Sequence, residues 1–201
     1  MRYVLAFSAM LVIGLGVVLV RSGQLGISPS NLVTSTDPLG LPVTGSPDRE
    51  DALIAAEVAK TAPALRGGDW ANSEPLKLDQ LNGRVVLVEF WTFDCYNCRN
   101  TLPTIKAFDE KYRKDGLTVI GVHTPELDQE REWPNVTHAV KQLGITYPVV
   151  SDNAFETWNA YNVAAWPTVF ILDKKGRIRF RHTGEGAYGI EEQVIKKLLA
   201  E

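Results

Sequence analysis

The two cysteines of this 201-residue chain, Cys95 and Cys98, lie shortly after an apolar run, Val85–Trp91. The run predicts a buried strand that turns into a helix, with Cys95 at the helix N-terminus. Unpaired backbone N–H groups and the helix dipole stabilise a thiolate there. A thiolate attacks disulfides, and a neighbouring thiol can resolve the mixed disulfide that forms. The pair therefore predicts a dithiol–disulfide redox centre that needs no metal or organic cofactor.

Two other kinds of site could use the same two cysteines. A structural disulfide across two intervening residues would close a very small loop and remove little entropy from the unfolded chain. Half of a zinc site would need further ligands, but the chain has no second C-x-x-C and its three histidines lie far away in sequence. The redox centre is therefore the favoured interpretation.

An acidic residue, Glu89, interrupts the apolar run six residues before Cys95. Burying an ionised carboxylate costs several kcal/mol, so a buried Glu89 should have a raised pKa. We interpret it as a proton acceptor for the Cys98 thiol when that thiol resolves a mixed disulfide. The alternative is a position at the sheet edge, where the carboxylate reaches water.

The chain begins with an apolar segment, Tyr3–Val20, between Arg2 and Arg21. As a helix its 18 residues would span about 27 Å, close to the thickness of a bilayer core. No A-x-A-like cleavage site follows, which favours an uncleaved membrane anchor over a cleaved export signal or a buried core helix. Either of the first two interpretations places the remaining residues outside the cytoplasm.

Composition divides the chain into three parts. After the anchor or signal at 1–21, residues 22–51 are rich in Gly, Ser, Pro and Thr, which is typical of a flexible linker. Residues 52–201 are predicted to form one globular domain. The formal net charge of −3 gives no basis for nucleic-acid binding.

Within the domain, predicted strands alternate with predicted helices, which indicates a mixed sheet covered by helices on both faces. The strands are predicted at Val85–Trp91, Leu117–Val122, Tyr147–Val150, Thr168–Leu172 and Arg177–His182, the last two joined by a hairpin turn at Asp173–Gly176. The helices are predicted at Glu50–Lys60, Cys98–Lys114, Pro134–Leu143, Ala154–Tyr161 and Ile190–Ala200, with a turn at Leu76–Gly83.

Three motifs in order resemble the thioredoxin fold, specifically its membrane-anchored, extracytoplasmic TlpA/ResA-like branch. The segment Phe90–Cys98 resembles the signature F-W-x-x-x-C-x-x-C, Pro103 matches the proline of the active-site helix, and Trp166-Pro167-Thr168 matches the cis-proline loop. The resemblance covers Leu76 to the C-terminus. It implies an α/β thioredoxin fold, with a central mixed sheet flanked by helices and a TlpA-like helix–strand insertion between Glu126 and Val150.

Three further segments resemble the thioredoxin-like domain that is fused to some DipZ-type membrane electron carriers. These are Gly121–Glu126, Tyr147–Val149 and Trp158–Tyr161. In this chain a single apolar run replaces the carrier. The resemblance therefore places the domain near this subgroup.

The resemblance also implies roles for individual residues. Cys95 is the expected exposed nucleophile, Cys98 the covered resolving thiol, and Glu89 occupies the position of the buried acid of thioredoxin. Pro167 is expected to be cis and to bind substrate, in a loop that faces the cysteines and whose backbone before the proline pairs with substrate.

More than one role is open for three further side chains, those of Trp166, Trp91 and His123. Trp166 is expected to contact substrate or shield the sulfurs, with an ordinary core tryptophan as the alternative. Trp91 is placed with the substrate-binding residues and is expected to pack under the active-site turn. His123, near the expected sulfur site, is as well explained by a surface or capping role as by a functional one.

These features predict a membrane-tethered thiol–disulfide oxidoreductase outside the cytoplasm. The resemblance implies reduction of disulfides in partner proteins, as in cytochrome c maturation, with electrons from a membrane carrier of the DsbD/CcdA type. The redox direction stays open at this stage. The alternatives are a copper-binding or copper-delivery protein using Cys95, Cys98 and His123, and a peroxide-reducing enzyme on a related fold.

Overall fold

The computed structural model describes residues 53–201, so the predicted anchor at 1–21 and linker at 22–51 lie outside the described residues. The described part contains a six-stranded mixed sheet with strand order β1-β4-β3-β2-β5-β6. The strands are β1 Trp70–Ala71, β2 Val85–Trp91, β3 Leu117–His123, β4 Val149–Ser151, β5 Thr168–Leu172 and β6 Ile178–Thr183. β2, β3 and β4 are parallel to one another, and β1, β5 and β6 each pair antiparallel with a neighbour.

Helices cover both faces of this sheet. They are α1 Tyr96–Tyr112, α2 Trp133–Gln142, α3 Glu156–Ala160 and α4 Tyr188–Ala200. Apolar residues of α1, α2 and α4 share one core cluster, whereas α3 packs into a second cluster on the other face. The predicted α/β thioredoxin architecture is confirmed, and α2 with β4 forms the predicted helix–strand segment between β3 and β5.

The central strand β2 is buried along its whole length because it lies between β3 and β5 and under helices on both faces. Side chains of a strand alternate between the faces. Leu87 and Trp91 therefore contribute to the cluster under α1 and α4, while Val88 and Phe90 contribute to the opposite one. By the same alternation Glu89 points toward α1 and α4.

Most predicted elements agree with the structure to within two residues at each end. The largest difference concerns the helix predicted at Glu50–Lys60, which is wrong over its described part: a single turn at 56–58 replaces it. Ile54 N–H donates to the Arg179 carbonyl oxygen at 2.7 Å, and the Lys60 carbonyl accepts from Ile178 N–H at 2.8 Å. Backbone groups that would form hydrogen bonds within a helix are therefore bonded to residues of β6 instead.

No helix among residues 53–201 is both long enough and apolar enough to cross a bilayer.

Candidate active site

The cysteine pair lies where β2 ends and α1 begins. Cys95 is the N-cap of α1, and its Sγ accepts a hydrogen bond from Cys98 N–H at 3.3 Å. Both residues are free thiols; Cys95 is half-buried, whereas Cys98 is only 2% exposed. The order of exposure, Cys95 more exposed than Cys98, is the one that the sequence predicts.

The buried thiol, Cys98, is a poor acid in this environment. Its pKa is raised far above the usual range, first by burial and then by its hydrogen bond with Cys95, against a backbone hydrogen bond from Thr92 that acts the other way. The negative charges of Cys95 and Glu89 raise it further. A resolving step at Cys98 therefore needs a group that takes its proton.

Glu89 is the candidate for that group, because its charge acts on the Cys98 thiol. It is 1% exposed on the central strand, which rules out the sheet-edge alternative. Burial raises its pKa to about 7, and a hydrogen bond from the Tyr147 hydroxyl to Oε2 at 3.1 Å partly offsets this. A carboxyl group that titrates near neutrality can both accept and release a proton under working conditions.

The side chain opposite Glu89 on β3 is absent, because its register partner is Gly121. A Cβ atom there would lie 2.8 Å from Trp91 Nε1 and 3.3 Å from Tyr147 Cε2. The two aromatic rings therefore use the space at Gly121. This close approach is what allows Tyr147, from the segment before β4, to reach the Glu89 carboxylate.

The loop before β5 carries the expected cis peptide bond between Trp166 and Pro167. The Trp166 indole donates from Nε1 to the Thr124 carbonyl oxygen at 3.0 Å. The ring centroids of Trp166 and Trp158 are 4.3 Å apart. Trp166 is half-buried between the two core clusters. Its contact with substrate stays a prediction.

The structure places Trp91 and His123 in the interior. Trp91 is 2% exposed and packs edge-on against His123, with ring centroids 5.3 Å apart, which agrees with its expected position under the active-site turn. Its contact with substrate stays a prediction. His123 is fully buried rather than a surface residue, and it also stacks on Phe93. Burial lowers the pKa of His123 to about 4, so the ring is neutral near pH 7.

A buried acid that the sequence analysis did not single out, Glu130, ties the active-site loop to the segment after β3. Its Oε1 accepts from Asp94 N–H at 3.0 Å, and its Oε2 accepts from the N–H groups of Glu126 and Leu127 at 2.7 and 2.8 Å. Burial opposes its ionisation, but these bonds and one with the Thr92 side chain outweigh it and lower the pKa of Glu130.

The same network reaches His123 through Thr92. The distance between Thr92 Oγ1 and His123 Nε2 is 3.2 Å. The Thr92 side chain thus contacts both the Glu130 carboxylate and the His123 ring. This chain of contacts holds the residues directly before Cys95 without touching the sulfurs.

Replacing Glu130 with Gln is expected to destabilise the fold by about 2–3 kcal/mol, because one amide –NH₂ must then face backbone donors that a carboxylate satisfied. Urea unfolding at pH 7 measures this. Glu126→Gln, an exposed residue of the same loop, is the control and should change the free energy of unfolding by less than about 0.5 kcal/mol. Equal effects of the two variants would show that Glu130 does not anchor the loop.

A second buried acid that the sequence did not indicate is Glu191 on α4. It is 1% exposed, and its Oε2 has no hydrogen-bond partner among residues 53–201. Burial and, to a smaller extent, the charge of Glu89 raise its pKa to about 8. The only hint in the sequence is its helical spacing with Val194, Ile195 and Leu198.

No group of three or more His, Cys, Asp or Glu side chains within residues 53–201 is arranged to hold a metal ion. His123, the third ligand of the copper-binding alternative, directs Nε2 to Thr92.

Comparison with known proteins places these features in a family. Residues 58–181 match the AhpC/TSA family. Over 153 residues the chain is 38% identical to Protein DipZ of Mycobacterium tuberculosis. This alignment covers 74% of this chain but 22% of that protein. The chain thus spans about a fifth of the length of the DipZ relatives that it matches.

Two relatives of more similar length carry the comparison further. The chain is 30% identical over 132 residues to the thiol-disulfide oxidoreductase ResA of Geobacillus kaustophilus, covering 65% of this chain and 71% of that protein. A crystal structure of a thiol-disulfide isomerase from Corynebacterium glutamicum superimposes with a TM-score of 0.64 at 27% identity, over 70% of this chain and 97% of the other.

Proposed function

We propose that this chain, which belongs to the AhpC/TSA family, reduces disulfide bonds of partner proteins outside the cytoplasm. The thiol-disulfide oxidoreductases among its relatives support this activity. One observation carries the proposal. A half-exposed thiol, Cys95, caps α1, and a buried thiol, Cys98, lies one helical turn behind it with Glu89 in the same core. This arrangement separates attack from resolution.

The proposed reaction uses the two thiols in sequence. The Cys95 thiolate attacks one sulfur of the partner disulfide, forming a mixed disulfide and releasing the partner's first thiolate, which takes a proton from water. Cys98 then gives its proton to Glu89, attacks Cys95 Sγ and releases the partner's second thiolate. The protein is left with a Cys95–Cys98 disulfide, so two electrons have passed to the partner.

The reducing direction is tested by the reduction potential of the Cys95–Cys98 couple in the full-length protein. The pair has no positive side chain between its cysteines, and the dithiol form is expected to be a good reductant. We expect a potential below about −200 mV, on the thioredoxin side of the range that runs to about −120 mV for strongly oxidising proteins. A value near −120 mV would make the protein a donor of disulfides and would overturn this direction.

We also propose that residues 1–21 tether the domain to the outer face of the cell membrane. The apolar length of Tyr3–Val20 and the lack of an A-x-A-like site support this. Mass spectrometry of membrane fractions should then recover peptides that contain Leu5–Val20. A mature N-terminus near Ser22 in a soluble fraction would show that the segment is a removed signal.

The proposed electron donor is a membrane carrier of the DsbD/CcdA type, and the proposed partners are protein disulfides such as those reduced during cytochrome c maturation. The support for both is the resemblance to the TlpA/ResA-like branch together with the apolar N-terminal segment.

A further inference from the structure

Two buried carboxyl groups occupy the same side of the sheet. Glu89 points from β2 toward α1 and α4, as the alternation of Leu87, Glu89 and Trp91 requires. Glu191 is the first member of the buried stripe of α4, four residues before Ile195 and seven before Leu198. α4 packs on β2 and β5 through this stripe. Both side chains are 1% exposed.

Each of these acids has one oxygen without a hydrogen-bond partner among residues 53–201. The Tyr147 hydroxyl occupies Oε2 of Glu89 and leaves Oε1 unpaired, and Oε2 of Glu191 is likewise unpaired. Two ionised carboxylates in one apolar layer repel each other and lack the solvent that would screen them. The layer therefore favours a state in which only one of the two groups is charged.

We propose that Glu89 and Glu191 form a carboxyl pair with coupled protonation, in which Glu191 is a positioning residue that stays protonated while Glu89 is ionised. This inference rests on the proposed role of Glu89 in resolving mixed disulfides. When Glu89 is the carboxylate that receives the Cys98 proton, Glu191 stays protonated and adds no second charge. Glu191 acts only through Glu89, because Glu89 rather than Glu191 is the acid whose charge acts on Cys98.

The other titratable groups around the pair come from α1 and from the segment before β4. Tyr147 stays protonated, because burial first and then the charge of Glu89 raise its pKa. Cys98 contributes the proton that is transferred. Asp109 also acts on Tyr147 and is itself paired with Arg113. None of these groups supplies a positive charge to the two glutamates.

The test is a carboxyl-carbon NMR titration of the reduced, full-length protein, labelled with ¹³C-glutamate, from pH 5 to pH 10. Wild type is expected to show two coupled steps, near 7 and near 8. Glu89→Gln should lower the pKa of Glu191 by about one unit, a tenfold change in proton affinity, because the like charge is gone. Glu110→Gln, an exposed residue of α1, is the control and should leave both steps unchanged.

A kinetic arm separates this inference from the proposed function. The rate of mixed-disulfide resolution is measured from pH 6 to pH 9 in Glu191→Gln, whose neutral amide copies the protonated acid. The upper inflection of the wild-type pH profile should disappear in Glu191→Gln and return in Glu191→Asp. A merely structural role of Glu191 would scale the rate at every pH and leave the profile unchanged.

The outcomes are distinct. If Glu191 titrates at the same pH in wild type and in Glu89→Gln, the two acids are independent and the pair is wrong. If the titrations are coupled but no variant, nor the wild type, resolves a mixed disulfide, the pair stands and the proposed function fails.

Discussion

Cys95→Ser is expected to slow disulfide reduction by at least about a thousandfold, whereas Cys98→Ser should keep the first attack and stop at the mixed disulfide. The reason is the difference in exposure. Cys95 Sγ lies at the start of α1 within reach of a partner, and Cys98 is 2% exposed behind it. A serine hydroxyl at position 95 cannot ionise near neutral pH, so no nucleophile remains at the surface.

The measurement is stopped-flow kinetics with a protein disulfide substrate, followed by mass spectrometry of the products without reductant. Cys98→Ser should accumulate a covalent adduct through Cys95, and Cys95→Ser should accumulate none. Asn97→Ser is the control, since Asn97 is exposed between the cysteines and should react at nearly the wild-type rate. Adducts trapped through Cys98 in the Cys95→Ser protein would reverse the assignment of the two thiols.

Glu89→Gln is expected to stabilise the fold at alkaline pH relative to wild type. The pKa of Glu89 is raised from 4.5 to about 7 on folding, so its protonated form favours the folded state. That stabilisation is present in full below pH 4.5 and is lost as the pH rises through 7. A tenfold change in proton affinity is worth about 1.4 kcal/mol, so the difference between variant and wild type should change by about 3 kcal/mol between pH 4 and pH 9.

Denaturant unfolding of both proteins at pH 4, 7 and 9 measures this difference. The comparison across pH removes any constant effect of the amide on packing. Glu110→Gln should show no such trend, because Glu110 is exposed. A difference that does not vary with pH would mean that Glu89 keeps its ordinary proton affinity in the folded protein.

The same variant should slow resolution by about a hundredfold or more, because removing a positioned proton acceptor typically costs about 10²–10⁴ in rate. The initial attack by Cys95 should be much less affected, since it does not require a proton to leave Cys98. If Glu89→Gln resolves the mixed disulfide at the wild-type rate across pH 6 to 8, the proton-acceptor role is wrong.

Local sequence patterns were sufficient for the elements that carry the chemistry. The apolar run of β2 predicts a strand buried on both faces, and the cysteines directly before a stripe of apolar residues predict the start of α1. Glu89 stands out because it is a charged residue within an apolar strand. These patterns succeed because burial of a central strand and the period of a helix are set by near neighbours in sequence.

For polar residues outside β2, the tertiary structure alone decided which of them are interior. Glu130 lies in a segment of charged residues that resembles a solvated loop, yet it accepts three backbone hydrogen bonds, one of them from Asp94, 36 residues earlier. Over residues 53–60 the predicted helix is wrong because Ile54 and Lys60 pair with β6, more than 110 residues later. Partners so distant in sequence leave no local periodicity.

Glu191 is another buried residue that local sequence periodicity does not reveal, in this case within a single helix. The sequence predicts that Ile190 faces inward with Val194, Ile195 and Leu198, because apolar residues normally occupy the buried stripe. In the structure Glu191 begins that stripe and Ile190 is half-buried. The sequence by itself determined the strand, the dithiol and the buried acid Glu89. Only the packing of α4 on β2 decided that Glu89 shares its apolar layer with a second acid, because the orientation of a helix about its axis depends on the surface against which it packs.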